Sequence, residues 1–254
     1  MPRPLALTLL LAAACHAPRD SAATDSAPQL EEPIVCLAQA ELPMTAPTYT
    51  LVQIKTGPQS GKLSKEDNDR AFAGHFANMG RMAEARELLV AGPYGAHRHD
   101  PALRGLFLLA TGERAEAERL ASTDPTTQAG VFVLEYHELA TDAPLAAALE
   151  RALAWQAAEL AAGRTPAPAE GARPYVLLTA EHGDLAVREF AQLRSAEGGV
   201  YLLAGLDGTR ALVLLDAPDL ATAEERFAPQ LAAIGAHHLD EWFASAELAA
   251  MVGP

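Results

Sequence analysis

Apolar residues along this chain switch between two periods, and the switches lay out its elements. Tyr49-Thr-Leu-Val-Gln-Ile-Lys55 is β-branched and apolar in the manner of a strand. From Ser64 to Leu88 the pattern turns helical, with Phe72, Phe76, Met79 and Ala83 on one stripe and Ser64 and Asp67 as N-cap candidates. Leu88-Leu-Val-Ala91 reads as a second strand, Gly92-Pro-Tyr-Gly95 as a turn, and Gly105-Leu-Phe-Leu-Leu-Ala110 as the returning strand. Glu113 to Ser122 reads as a short helix and Ala129 to Tyr136 as a closing strand. The order β-α-β-β-α-β is that of a ferredoxin-like unit.

The order then repeats. Tyr175-Val-Leu-Leu178 is a strand, Asp184 to Glu197 a helix, Val200 to Ala204 and Arg210 to Leu215 two strands, Asp219 to Ala233 a helix, and His238 to Phe243 a weak last strand. Arg104-Gly-Leu-Phe-Leu-Leu-Ala-Thr111 parallels Arg210-Ala-Leu-Val-Leu-Leu-Asp-Ala217, and Leu89-Val-Ala-Gly92 parallels Leu202-Leu-Ala-Gly205. Such identities recur by chance in apolar strands, so the shared element order weighs more than they do. Between the units, Leu145, Leu149, Leu153 and Leu160 share one face of an Ala-rich helix that ends at Gly163. A single ferredoxin-like unit leaves one sheet face open, and two in one chain can bury both open faces against each other. The expected fold class is therefore α+β, with two tandem units forming an intrachain, barrel-like pseudo-dimer.

Half of the residues are hydrophobic, enough for sizeable cores, and the formal charge is −14 with no basic stripe. That balance argues against nucleic acid, which is bound through clustered Lys and Arg. At the N-terminus, Arg3 precedes an apolar run from Leu5 to Ala14, too short to span a bilayer and of the size of a signal-peptide core. Leu11-Ala-Ala-Ala-Cys15 resembles the bacterial lipobox, with Ala12 where leucine is commonest. Cys15 is thus a candidate for lipidation, which would make the bilayer a partner and the cell envelope the location. His16, in place of the aspartate that retains many lipoproteins in an inner membrane, favours an outer one. Cys36 then has no intramolecular partner and reads as a small buried hydrophobe. The chain divides into a signal segment 1–14, a polar tether 15–47, a first unit 48–140, a helix and linker 141–172, and a second unit 173–250.

The segment Tyr49 to Glu138 resembles the YCII-related (YciI-like) family. The residues that carry the resemblance are Arg70-Ala-Phe-Ala-Gly-His75-Phe-Ala-Asn-Met79, Leu88-Leu-Val-Ala-Gly-Pro93, Arg104-Gly-Leu-Phe107 and Ser122-Thr-Asp124-Pro125. The resemblance implies a dimeric α+β barrel of ferredoxin-like units and an active-site pair falling on His75 and Asp124. One branch of that family dehydrochlorinates a chlorinated hydroxyhydroquinone. The chemistry of such a pair stands by itself: a carboxylate on one imidazole nitrogen fixes the tautomer and leaves the other nitrogen for proton transfer. It suits elimination or isomerisation of a small molecule without metal or cofactor. The plainer readings are that His75 is a half-buried structural histidine at the edge of the Phe72–Phe76 stripe and that Asp124-Pro125 is a helix N-cap.

In the second unit, alignment on the Ala-Gly strands puts Arg188 opposite His75, and no Asp-Pro lies near Gln230. That unit reads as a degenerate partner, which leaves one site per chain and makes a non-catalytic ligand-binding or protein-interaction module the competing function. His97-x-His99-Asp100 and His237-His238 bring ligand-type residues together without the spacing of a metal site. Gly57-Pro-Gln-Ser-Gly-Lys62 lacks the phosphate-loop spacing and reads as a surface loop.

Overall fold

The computed structural model describes residues 46–166 and 170–252. The signal segment, Cys15 and Cys36 lie outside the described residues. Strand β1 (Thr48–Thr56) leads into helix α1 (Lys65–Glu84), capped by Ser64, whose hydroxyl accepts from the Asp67 amide. The helix stops short of Leu88 because Arg86 turns left-handed at φ 61°, while Arg86 and Glu87 donate back to the Ala83 and Met82 carbonyls. This is a Schellman stop with arginine where glycine is usual. The buried face of α1 is Ala71, His75 and Met82, and Phe76 is 49% exposed. The expected aromatic stripe is thus rotated by a residue, and His75 occupies the centre of the buried face instead of its edge.

Strands β2 (Leu88–Pro93) and β3 (Leu103–Leu109) follow, so Gly92 and Pro93 belong to a strand and not to the expected turn. Helix α2 (Arg114–Ala121) precedes a one-turn helix α3 (Pro125–Gln128), and β4 (Phe132–Ala140) begins only after it. The Ala-rich segment forms helix α4 (Leu145–Ala161). Then come β5 (Ala172–Ala180), α5 (Gly183–Phe190), β6 (Val200–Leu206), β7 (Arg210–Leu215), α6 (Leu220–Arg226), α7 (Ala228–Ile234) and β8 (His237–Ser245). The single helix expected over Asp219–Ala233 is broken at Phe227, where Pro229 opens α7 without an amide to donate. No described helix is long and apolar enough to cross a membrane.

The fold is α+β, with one eight-stranded sheet in the order β2-β3-β1-β4-β6-β7-β5-β8 and every neighbouring pair antiparallel. The halves β2-β3-β1-β4 and β6-β7-β5-β8 follow the same order, and both carry a register shift near the start of their second strand, at Leu88/Val90 and Val200/Leu202. They join through Leu139↔Leu206 and Ala140↔Gly205. The two outer strands also meet: Tyr94 bridges Trp242, whose indole donates to the Gly92 carbonyl at 3.0 Å. A side chain at Gly92 would lie 1.9 Å from the Phe243 carbonyl oxygen, so only glycine lets the strands come this close.

Three cores hold the described residues together. Each half packs its helices on one sheet face, around Val52, Phe107 and Leu120 in the first and Val176, Phe190 and Val213 in the second. The third fills the other face, where Leu51, Leu106, Leu177, Leu214 and Trp242 meet Leu145 and Leu149 of α4. What remains there is an apolar void of about 10 Å³, room for one water molecule at most.

Candidate active site

His75 and Asp124 are far apart in sequence and come together where α1 crosses α3. The crossing is close because residue 74 is glycine; a Cβ there would sit 2.8 Å from Pro125 Cγ. Asp124 caps α3 as expected, with Oδ1 accepting from the Thr126 amide at 2.8 Å. Its other oxygen, Oδ2, lies 2.5 Å from His75 Nδ1. The cap reading and the catalytic reading of Asp124 are therefore compatible, one oxygen serving each. The Thr126 hydroxyl also donates to Oδ1, at 2.5 Å.

The pair is sheltered, His75 being 8% and Asp124 2% exposed. Phe72 and Phe76 of α1, Phe107 of β3 and Phe132 of β4 surround the imidazole, with ring centroids 5.3 to 6.3 Å away and Phe107 stacked on it. Burial pushes the Asp124 carboxyl up, but hydrogen bonds from His75 and Thr126 outweigh it and hold the group below the usual carboxylate range. An ionised Asp124 can only accept, so the bond to His75 requires the proton on Nδ1. Nε2 has no hydrogen-bond partner among the described residues and, unlike the Nε2 of His137, is not sealed from solvent. An oriented imidazole whose Nε2 is bare and open to solvent can accept a proton.

The second half departs at the same place. There α5 packs on α7 as α1 packs on α3, but Phe190 and Phe227 meet, at 0% and 1% exposure and 6.0 Å between ring centroids. Phe227 stands at the N-cap position that Asp124 holds in the first half. Arg188 lies 61% exposed and pairs with Glu189, a solvated arginine away from this contact.

His97 and His99 do not gather a metal cage; among the described residues no three His, Cys, Asp or Glu side chains converge for a metal. Each meets a carboxylate of β8, His97 Nδ1 with Glu241 at 2.7 Å and His99 Nδ1 with the buried Asp240 at 2.8 Å, while His238 stacks on His99. Across the other junction His137 meets Asp207 at 2.8 Å. Residue patterns missed these pairs, and also Thr126, Phe107 and Phe132 around His75. A threonine two places after a capping aspartate was the only local signal for Thr126, and nothing local marked the others.

No family model, curated protein or solved structure matches the chain.

Proposed function

We propose that this chain is a lipid-anchored protein of the cell envelope, YCII-like in its first unit, that handles a small molecule by general acid-base chemistry at His75. Asp124 orients the imidazole, and the reaction is of the lyase or isomerase type. In this reading the chain is two tandem ferredoxin-like units closed into a dimeric α+β-barrel-like pseudo-dimer, with acylated Cys15 as its anchor. The repeated element and strand orders and the meeting of β2 with β8 support the architecture. The observation that carries the function is the 2.5 Å contact of His75 Nδ1 with the buried Asp124, which leaves Nε2 without a partner among the described residues.

In the reaction, Nε2 takes the proton of an acidic C–H and the electron pair of that bond becomes part of a new C=C. In an elimination the leaving group departs with its own bonding pair. In an isomerisation the pair delocalises and the imidazolium returns the proton to a different atom. Asp124 stabilises the imidazolium in either case. The contact Phe190–Phe227 supports a second reading, a non-catalytic binding module, because the second unit keeps its fold without the pair.

The test is hydrogen–deuterium exchange. A panel of small carbon acids in D₂O, followed by proton NMR, is expected to include one whose exchange the protein accelerates. His75→Gln should lower that acceleration by about 10²- to 10⁴-fold, the usual worth of a positioned base. Exchange that survives His75→Gln unchanged contradicts catalysis; binding at His75 without exchange favours the module.

A further inference from the structure

Thr126 is fully buried, at 0% exposure, and touches Asp124 twice. Its amide donation to Oδ1 is an ordinary capping bond that any residue other than proline would make at that place. Its hydroxyl donation to the same oxygen depends on the side chain. Valine has the same shape and would fill the same space, so packing does not account for the hydroxyl. A buried hydroxyl is costly unless it is bonded, and here its acceptor is the carboxylate that serves His75. The hydroxyl oxygen also lies 3.5 Å from His75 Nδ1, in the fork between the two groups.

With both donors on Oδ1, rotation of the carboxylate about Cβ–Cγ would break two hydrogen bonds, and only Oδ2 is presented to the imidazole. We infer that Thr126 is a positioning residue of this site: its hydroxyl locks the Asp124 carboxylate, and so keeps His75 with its proton on Nδ1 and Nε2 ready to accept. The inference rests on the proton-transfer reading above and extends the pair to a row of three, Thr126, Asp124 and His75. Burial pushes the Asp124 carboxyl up, and the Thr126 hydroxyl adds to the larger effect of the His75 bond in holding it below the usual carboxylate range.

Two substitutions separate hydroxyl from packing. Thr126→Val keeps the volume and loses the hydroxyl; Thr126→Ser keeps the hydroxyl and loses the methyl. The readouts are the ¹³C titration of the Asp124 carboxyl and the ¹⁵N shifts of the His75 ring in the full chain, with Asp124→Asn as reference. Thr126→Val is expected to move the Asp124 midpoint upward and to admit the Nε2–H tautomer of His75. Thr126→Ser is expected to keep both signatures of the parent protein even where it lowers Tm. Unchanged signatures in Thr126→Val, or their loss in folded Thr126→Ser, overturn the role of the hydroxyl. If the parent His75 tautomer ignores Asp124→Asn, the pair itself fails, and the Thr126 role fails with it.

Discussion

At Asp124 a single carboxylate does two jobs, capping a four-residue helix with one oxygen and holding an imidazole with the other. Its titration gives a measurable consequence. A carboxyl held below its ordinary value by the fold adds stability that is complete above the unfolded-state value, near 4, and that disappears as pH falls through the lower folded value. Asp100, Asp207, Asp216 and Glu241 are shifted in the same direction, so the chain as a whole loses stability in acid. Asp124→Asn isolates one share. Urea unfolding at steps between about pH 6 and pH 3 should show the two proteins furthest apart near pH 6 and converging toward pH 3. A gap independent of pH would mean that the carboxylate charge contributes nothing. The cap was legible from Asp124-Pro125 alone. The partner was not, because nothing in local sequence says which helix crosses α3; His75 came from the family resemblance.

Among the elements, the crossing of α1 and α3 decides whether the site exists, and Gly74 decides the crossing. Glycine inside a helix costs about 1 kcal/mol against alanine, so Gly74→Ala on an isolated helix would stabilise. Here the new methyl meets the rigid Pro125 ring at 2.8 Å. Overpacking of that kind costs about 1–3 kcal/mol and should outweigh the gain in propensity. The expected result is a net loss of stability by chemical denaturation together with loss of the His75–Asp124 coupling. A stabilised variant that keeps the coupling would show that α3 can move aside. Element ends show where pattern reading works. Ser64 was legible as the start of α1 because its chemistry is that of a cap. The end was missed because Arg86 adopts a left-handed backbone that arginine rarely does. The break at Phe227 had a signal, Pro229, that the apolar periodicity around it obscured.

On the scale of the molecule, the sheet face covered by α4 is filled and nearly dry, and each half carries its other helices on the opposite face. There the first half presents an imidazole and a carboxylate where the second presents two phenylalanines. An aromatic pair in place of a buried polar pair keeps the packing and lacks the proton acceptor, so among the described residues this pair occurs in the first half and not in the second. Where the halves meet, imidazoles of the first face carboxylates of the second, His99 on Asp240 and His137 on Asp207. Periodicity and element order anticipated an α+β chain, since the apolar period distinguishes strands from helices. These side-chain pairs depend on register across the junctions, which periodicity does not encode.

Whether His75 is an oriented base is read from ¹⁵N NMR of its imidazole at neutral pH, in the parent protein and in Asp124→Asn. An oriented base carries a proton on Nδ1 and a bare Nε2 in the parent, and loses that preference when Asp124 is neutralised. A proton on Nε2 in the parent, or a tautomer indifferent to Asp124, would contradict that role.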